Sequence, residues 1–156
     1  MKTILGLTML FCAVAAQALD SAFVVGDDGL NKVMVFNRFG EPVWEYPAVD
    51  PYSVQVLDNG NLLLTSSRYL LVEVNQAKEI VWSFSSANEI FGAVRDGDVT
   101  IVGDCTANEI LFVGTDGTIQ SSFAAVSTAT GHSTMRNITL TSADTILAAH
   151  LGDHTV

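Results

Sequence analysis

The sequence predicts an all-β fold: a β-propeller of four-stranded antiparallel blades, with about three and a half blades present and the ring incomplete. Three observations predict it. Alternating apolar segments recur and close on Tyr46, Phe84 and Phe123, in steps of 38 and 39 residues. Asp58-Asn59-Gly60-Asn61 and Arg95-Asp96-Gly97-Asp98 lie between short apolar runs, and Gly and Asn tolerate the positive φ that tight hairpin turns demand. Leu62-Leu63-Leu64 and Tyr69-Leu70-Leu71-Val72 are apolar on both faces, as strands are when neighbouring sheets cover both sides.

Taken in order, residues 1–18 read as a secretory signal. Met1-Lys2-Thr3 is a positive start, residues 4–16 form an apolar run, and Ala16-Gln17-Ala18 offers small residues for cleavage after Ala18. An uncleaved membrane anchor is the alternative, and the run is short for a span. Phe11 before Cys12 is too bulky for lipoprotein processing.

Residues 19–156 form the partial propeller. Residues 23–46 supply the last three strands of one blade. Residues 51–84 and 89–123 give two complete blades, and residues 134–156 begin another. The first complete blade places strands at 53–57, 61–65, 69–74 and 79–84. The next places them at 91–94, 99–103, 109–113 and 118–123. A two-sheet sandwich also has strands at this spacing, but it does not demand a fixed period. No window shows a helical period. The sequence stops where a third strand is due, so a truncated chain is expected. Two copies associating into about seven blades, a homodimer ending at Val156, is the other reading.

Composition bounds the function classes. The chain has 156 residues, 49% hydrophobic, which suffices for one domain with a substantial core. Its net charge of −10 argues against a nucleic-acid partner, because phosphate-tracking surfaces are rich in Lys and Arg. Cleavage would remove Lys2 and Cys12, leaving 17 acidic against 6 basic side chains and Cys105 as the one thiol. Cys105 then reads as a buried structural residue, with an intermolecular bridge as the alternative. No apolar stretch after residue 18 is long enough to cross a bilayer, so no membrane association is expected after cleavage.

The blade pattern resembles the PQQ-like (quinoprotein-type) β-propeller repeat family found in exported bacterial proteins. The resemblance rests on Leu57-Asp58-Asn59-Gly60-Asn61-Leu62-Leu63, Val72-Glu73-Val74-Asn75 and Glu79-Ile80-Val81-Trp82-Ser83-Phe84. Gly40-Glu41-Pro42-Val43-Trp44-Glu45-Tyr46 and Arg136-Asn137-Ile138-Thr139-Leu140-Thr141 are their counterparts. It covers residues 23–156 and implies the propeller. The same blade serves dehydrogenases, assembly scaffolds and sulfotransferases, so activity does not follow. The family's enzymes carry a longer motif ending in Trp. Here Asn37-Arg38-Phe39 departs from it, Lys78 stands where Gly is expected, and Ser121 replaces the third Trp. Trp44 and Trp82 are therefore read as packing wedges between sheets, and Gly60 and Gly97 as turn residues.

Loops joining second to third strands and fourth to first strands share one face. That face is the candidate binding surface, for a protein, a glycan or a small ligand. It holds Asp27, Asp28, Asn31, Lys32, Arg68, Asp104, Cys105, Asn108, His132, His150, Asp153 and His154. Asp and Asn are also what turns are made of, which is the plainer account of several of these. His150 and His154 are spaced as helical zinc ligands, but Gly152 and the strand context set them across a turn, so no metal site is assigned. Asp27-Asp28-Gly29 and Asp96-Gly97-Asp98 lack the length and terminal acid of a calcium loop. Asn137-Ile138-Thr139 is a formal glycosylation acceptor inside an expected inner strand. No phosphate loop, nucleophile elbow or dinucleotide fingerprint occurs.

The expectation is thus a non-catalytic exported module with no cofactor. The family resemblance supplies the alternative, a quinoprotein-like oxidoreductase using PQQ with calcium. Such a site needs a carboxylate and amide set plus a cation, and Arg136 is the basic residue near an inner strand start. An adjacent disulfide pair found in some of these enzymes is absent here. An arylsulfotransferase-like enzyme would need an axial His, for which His132 and His150 are the candidates.

Overall fold

The computed structural model describes residues 21–127 and 134–152. The proposed leader, His132, Asp153 and His154 lie outside them. Thirteen strands and no helix occur among the described residues. β1 (Ser21–Asp27), β2 (Lys32–Asn37) and β3 (Pro42–Pro47) form a three-stranded sheet. β4 (Val54–Val56), β5 (Leu62–Ser67), β6 (Leu70–Val74) and β7 (Ile80–Ser85) form a four-stranded sheet in sequential order. β8 (Ile90–Asp96), β9 (Val99–Asp104), β10 (Glu109–Val113) and β11 (Ile119–Ala124) repeat it. β12 (Met135–Leu140) and β13 (Ile146–His150) pair as a two-stranded start of a further unit. Every pairing is antiparallel. The chain is a partial β-propeller whose first sheet has the second, third and fourth strand positions.

The doubly apolar strands pack as their pattern requires. Leu62 and Leu64 of β5 join Val33, Val35, Val72 and Val74 in a core between the first and second sheets. Leu63, between them, points the other way and joins Leu71, Phe84, Ile90, Val102 and Leu111 between the second and third sheets. Ile101, Ile110, Met135 and Ile138 form the next layer. Side chains alternate with period two, so one three-residue apolar run serves two inter-sheet cores.

Trp44 and Trp82 sit on the outer strands against these cores. The Trp44 indole Nε1–H donates to the Gln76 carbonyl of the next sheet at 3.1 Å. Trp82 lies under the Arg95 guanidinium at 4.5 Å. Each ring therefore ties one sheet to its successor.

A polar seam joins the inner strands. Ser53 Oγ donates to the Ala93 carbonyl and accepts from the Ala93 N–H, both at 3.1 Å. The Gln55 amide does the same for Arg95, donating at 3.2 Å and accepting at 2.7 Å. These side chains satisfy backbone groups on the exposed edge of β8 that no strand pairs. β4 is one residue shorter at each end than the expected 53–57; at its start the Ser53 N–H donates to the side-chain Thr65 Oγ1 at 3.0 Å instead of a strand carbonyl.

The outer turns are built alike. Asn37 receives the Glu41 N–H on Oδ1 at 3.0 Å, and Asn75 receives the Glu79 N–H at 2.9 Å. Gly40 holds φ of +79° in the first turn; Lys78 holds φ of +68° at the same place in the second. Gly60 and Gly97 take φ of +81° and +52° in the hairpins that carry the Asx-Gly signals.

Candidate functional site

The β1–β2, β5–β6 and β9–β10 turns share a face with the connections β3–β4 and β7–β8. The inner strands start on that face, and the residues there form the candidate site.

Tyr52, Phe91 and Arg136 occupy corresponding positions at the starts of three successive inner strands. The Tyr52 and Phe91 ring centroids lie 4.6 Å apart, tilted by 59°. The Arg136 guanidinium lies over the Phe91 ring, 4.6 Å from its centroid. Local backbone geometry aims these side chains. β8 skips Phe91 in its register with β9, Ile90 facing Asp104 and Gly92 facing Gly103. β12 skips Arg136 in the same way, Met135 facing His150 and Asn137 facing Ala149. Each is the extra residue of a β-bulge, a device that turns a side chain out of the pleat.

Gly92 lets the two strands approach. A Cβ there would lie 2.9 Å from the Asn137 carbonyl carbon and 3.0 Å from its Cα. Close backbone approach is what places Arg136 over Phe91.

A charged chain runs beside this row. Arg68 Nε donates to Asp50 Oδ1 at 3.4 Å, and its Nη1 to Glu89 Oε1 at 3.3 Å. Both partners hold the guanidinium charged, raising its pKa above the ordinary value, Glu89 contributing most. The Tyr52 hydroxyl donates to Asp50 Oδ1 at 3.0 Å. Burial, followed by this bond to an anion, pushes the Tyr52 phenol above its usual range. The Arg68 carbonyl accepts the Ile90 N–H at 2.6 Å, so the turn itself clips two sheets together.

Asp104 is buried and spoken for. It accepts from Asn88 Nδ2 at 2.7 Å and from the Ala107 N–H at 2.8 Å. Next to it, Cys105 and Thr134 are hydrogen-bonded to each other. Thr134 Oγ1 donates to the Cys105 carbonyl at 2.6 Å, so the thiol donates to that hydroxyl oxygen at 2.8 Å. Burial raises the Cys105 thiol pKa, and the Thr134 contact offsets it only in part. This is a packed thiol, not an activated nucleophile.

Of the residues singled out from sequence, Arg68, Asp104, Cys105 and Arg136 converge near the inner strand starts. Asp27, Asp28 and Asn31 form the β1–β2 turn. Asp27 Oδ1 closes it by accepting the Leu30 N–H at 2.9 Å, and Asn31 takes φ of +52°. Lys32 is turned outward onto Glu45 at 2.8 Å. Asn108 takes φ of +57° and donates to the Ala125 carbonyl at 3.2 Å, away from the row. His150 ends β13, 7% exposed, with a buried Nδ1 that has no hydrogen-bond partner among the described residues. Among the described residues, no three His, Cys, Asp or Glu side chains gather as a metal-binding group.

Sequence reasoning missed Asp50, Tyr52, Asn88, Glu89, Phe91 and Thr134. A signal existed for two of them. Tyr52 and Phe91 stand 39 residues apart, one repeat step, each just after a turn.

No family model and no curated protein matches this chain. Solved β-propellers do. Against virginiamycin B lyase from Staphylococcus aureus the TM-score is 0.59 at 15% identity, covering 80% of this chain and 50% of that one. BamB from Moraxella catarrhalis gives 0.61 at 18% identity, covering 82% and 40%. The Pan2 WD40 domain from Neurospora crassa gives 0.56 at 9% identity, covering 83% and 43%. The chain thus spans half or less of the length of these structures. At such identities the likeness shows the fold alone. The fold and the site geometry define a β-propeller chain with an inner-strand aromatic and arginine row on its loop face.

Proposed function

We propose that this chain is an exported, non-catalytic propeller module that holds a ligand on the face where its inner strands begin. The observation that carries the proposal is the Tyr52–Phe91–Arg136 row. Two β-bulges and a close glycine contact orient it; Phe91 is buried at its centre, and Tyr52 and Arg136 on either side in sequence are its partly exposed members. Rigid sheets carrying a loop-built surface suit recognition of a protein, a glycan or a small molecule. Export is inferred from residues 1–18, and membership of the PQQ-like repeat family from the blade motifs.

The quinoprotein alternative fits the described residues poorly. Asp50 and Glu89, carboxylates beside the row, are bridged by Arg68 and so are already paired with a cation. Cys105 and Thr134 are engaged with each other. The discriminating experiment combines two assays on the purified chain. Peptide and glycan arrays should give a hit that weakens in Arg68→Glu and is unchanged in Lys78→Glu, a turn residue of the opposite face. Turnover of an alcohol or sulfate ester, or quenching on addition of PQQ with calcium, would defeat the proposal.

A further inference from the structure

We infer that Arg136 is an anion-binding residue of this face, and that the anion it takes is a singly charged carboxylate. The inference rests on the loop face being the binding surface, as proposed above, and names the chemistry that surface would read.

Among the described arginines, Arg38 and Arg136 have no ion pair; Arg38 is exposed over Phe39, whereas Arg136 is partly buried on the loop face. Arg68 is engaged by Asp50 and Glu89, and Arg95 by Glu73 and Thr100. Arg136 has no ion pair and no side-chain hydrogen bond among the described residues; its guanidinium stacks on the Phe91 ring. Its Nε is buried and has no hydrogen-bond partner among the described residues. A partly buried cation stacked on an aromatic face retains its charge but loses hydration on that side. It therefore gains more from an incoming anion than a surface arginine would.

The neighbouring acids do not fill that role. Glu89 is paired with Arg68, and Asp104 is held by Asn88 and the Ala107 amide. Glu89 directly precedes β8 and Asp104 faces Ile90 in the β8–β9 register, so both carboxylates flank Phe91, on which Arg136 stacks. A planar guanidinium, with its paired N–H donors, matches a carboxylate fork. Two fixed carboxylates nearby penalise a phosphate dianion more than a monoanion, because like-charge repulsion scales with the ligand's charge. The β-bulge at Arg136 is an independent sign: it takes the side chain out of the strand's alternation and lays it on the row.

The carboxylate could be free or carried on an acidic side chain of a polypeptide, and the test separates these sources. The probes are acetate, the peptide acetyl-Gly-Glu-Gly-amide, phosphate and chloride, added to the ¹⁵N-labelled 156-residue chain. The readout is the arginine Nε–H resonance assigned to Arg136 by its absence in Arg136→Gln. Acetate or the peptide should shift it saturably, with dissociation constants of about 1–20 mM. The tighter of the two identifies the source. Arg136→Gln should weaken binding by at least about tenfold. Arg136→Lys, which keeps the charge and the fold but loses the fork, should weaken it less. Arg38→Gln, removing an exposed arginine of the opposite face, should leave it unchanged. A resonance that responds equally to chloride, or more tightly to phosphate, overturns the inference. Amide shifts then decide what else falls. Shifts confined to residues 48–53, 86–91 and 104–108 keep the face and discard the carboxylate; shifts at residues 57–61 and 75–79 discard the face as well.

Discussion

Replacing Glu73 with alanine should cost the fold about 3–5 kcal/mol, the range for removing one partner of a buried ion pair. The figure follows from what Glu73 holds. The residue is 6% exposed, on β6. Its Oε1 accepts from Asn61 Nδ2 at 2.7 Å and Asn59 Nδ2 at 3.0 Å, and its Oε2 pairs with Arg95 Nη1 of the next sheet at 3.3 Å. Arg95 also donates to Thr100 Oγ1 at 2.6 Å and lies over Trp82, so it would remain in place, charged and poorly compensated. Urea unfolding at low temperature measures the loss. Glu73→Gln, which keeps the shape and an acceptor for the two asparagines, should cost about 1–2 kcal/mol. The Glu73→Ala, Arg95→Met double variant should lose about 1–3 kcal/mol less than the sum of the single losses, because removing both charges leaves neither stranded. A Glu73→Ala cost below about 1 kcal/mol, or strict additivity in the cycle, would refute this account of the inter-sheet lock.

Further expectations follow from the same geometry. Burial alone would raise the Glu73 pKa, but the Asn61 and Asn59 bonds and the Arg95 charge outweigh it and hold it below the ordinary 4.5. Its folded value lies below its unfolded one, so its contribution is complete above about pH 5 and fades as pH falls through the folded value; Glu73→Gln should flatten the acid limb of stability against pH. Lys78→Gly should stabilise the chain by about 0.5–1 kcal/mol in thermal melts, since a non-glycine residue at φ of +68° is strained and Gly40 fills the matching turn. Gly92→Ala should destabilise by about 1–3 kcal/mol, because a Cβ has no room against Asn137. Cys105 should react with a thiol reagent in the folded chain far more slowly than in urea, given its burial and raised pKa.

Sheet order and strand positions were legible because they are properties of local pattern. The expected strand at 109–113 matches β10 in both bounds, and 99–103 differs from β9 by one residue. Leu62-Leu63-Leu64 announced a strand covered on both faces, and its side chains do enter two different cores. Lys78 was visible as a departure from Gly, and the turn absorbs it by taking the positive φ all the same. The site was less legible for a physical reason. Tyr52, Phe91 and Arg136 meet only because successive sheets stack, and the distance between blades is set by side chains remote in sequence. The jump from Phe91 to Arg136 also exceeds the repeat step, at 45 residues against 39, so the pattern alone did not align them. Glu73 and Arg95 were equally hidden. One reads as a polar interruption in a strand and the other as the edge of a turn, until the second and third sheets are set together.

The most direct test of the central claim is amide hydrogen exchange on the whole chain, with and without a ligand found by the arrays. The account predicts added protection in residues 48–53, 86–91 and 104–108, where the connections and inner strand starts gather, and none at the turns of the opposite face. Protection centred on residues 57–61, 75–79 and 96–98 would contradict it.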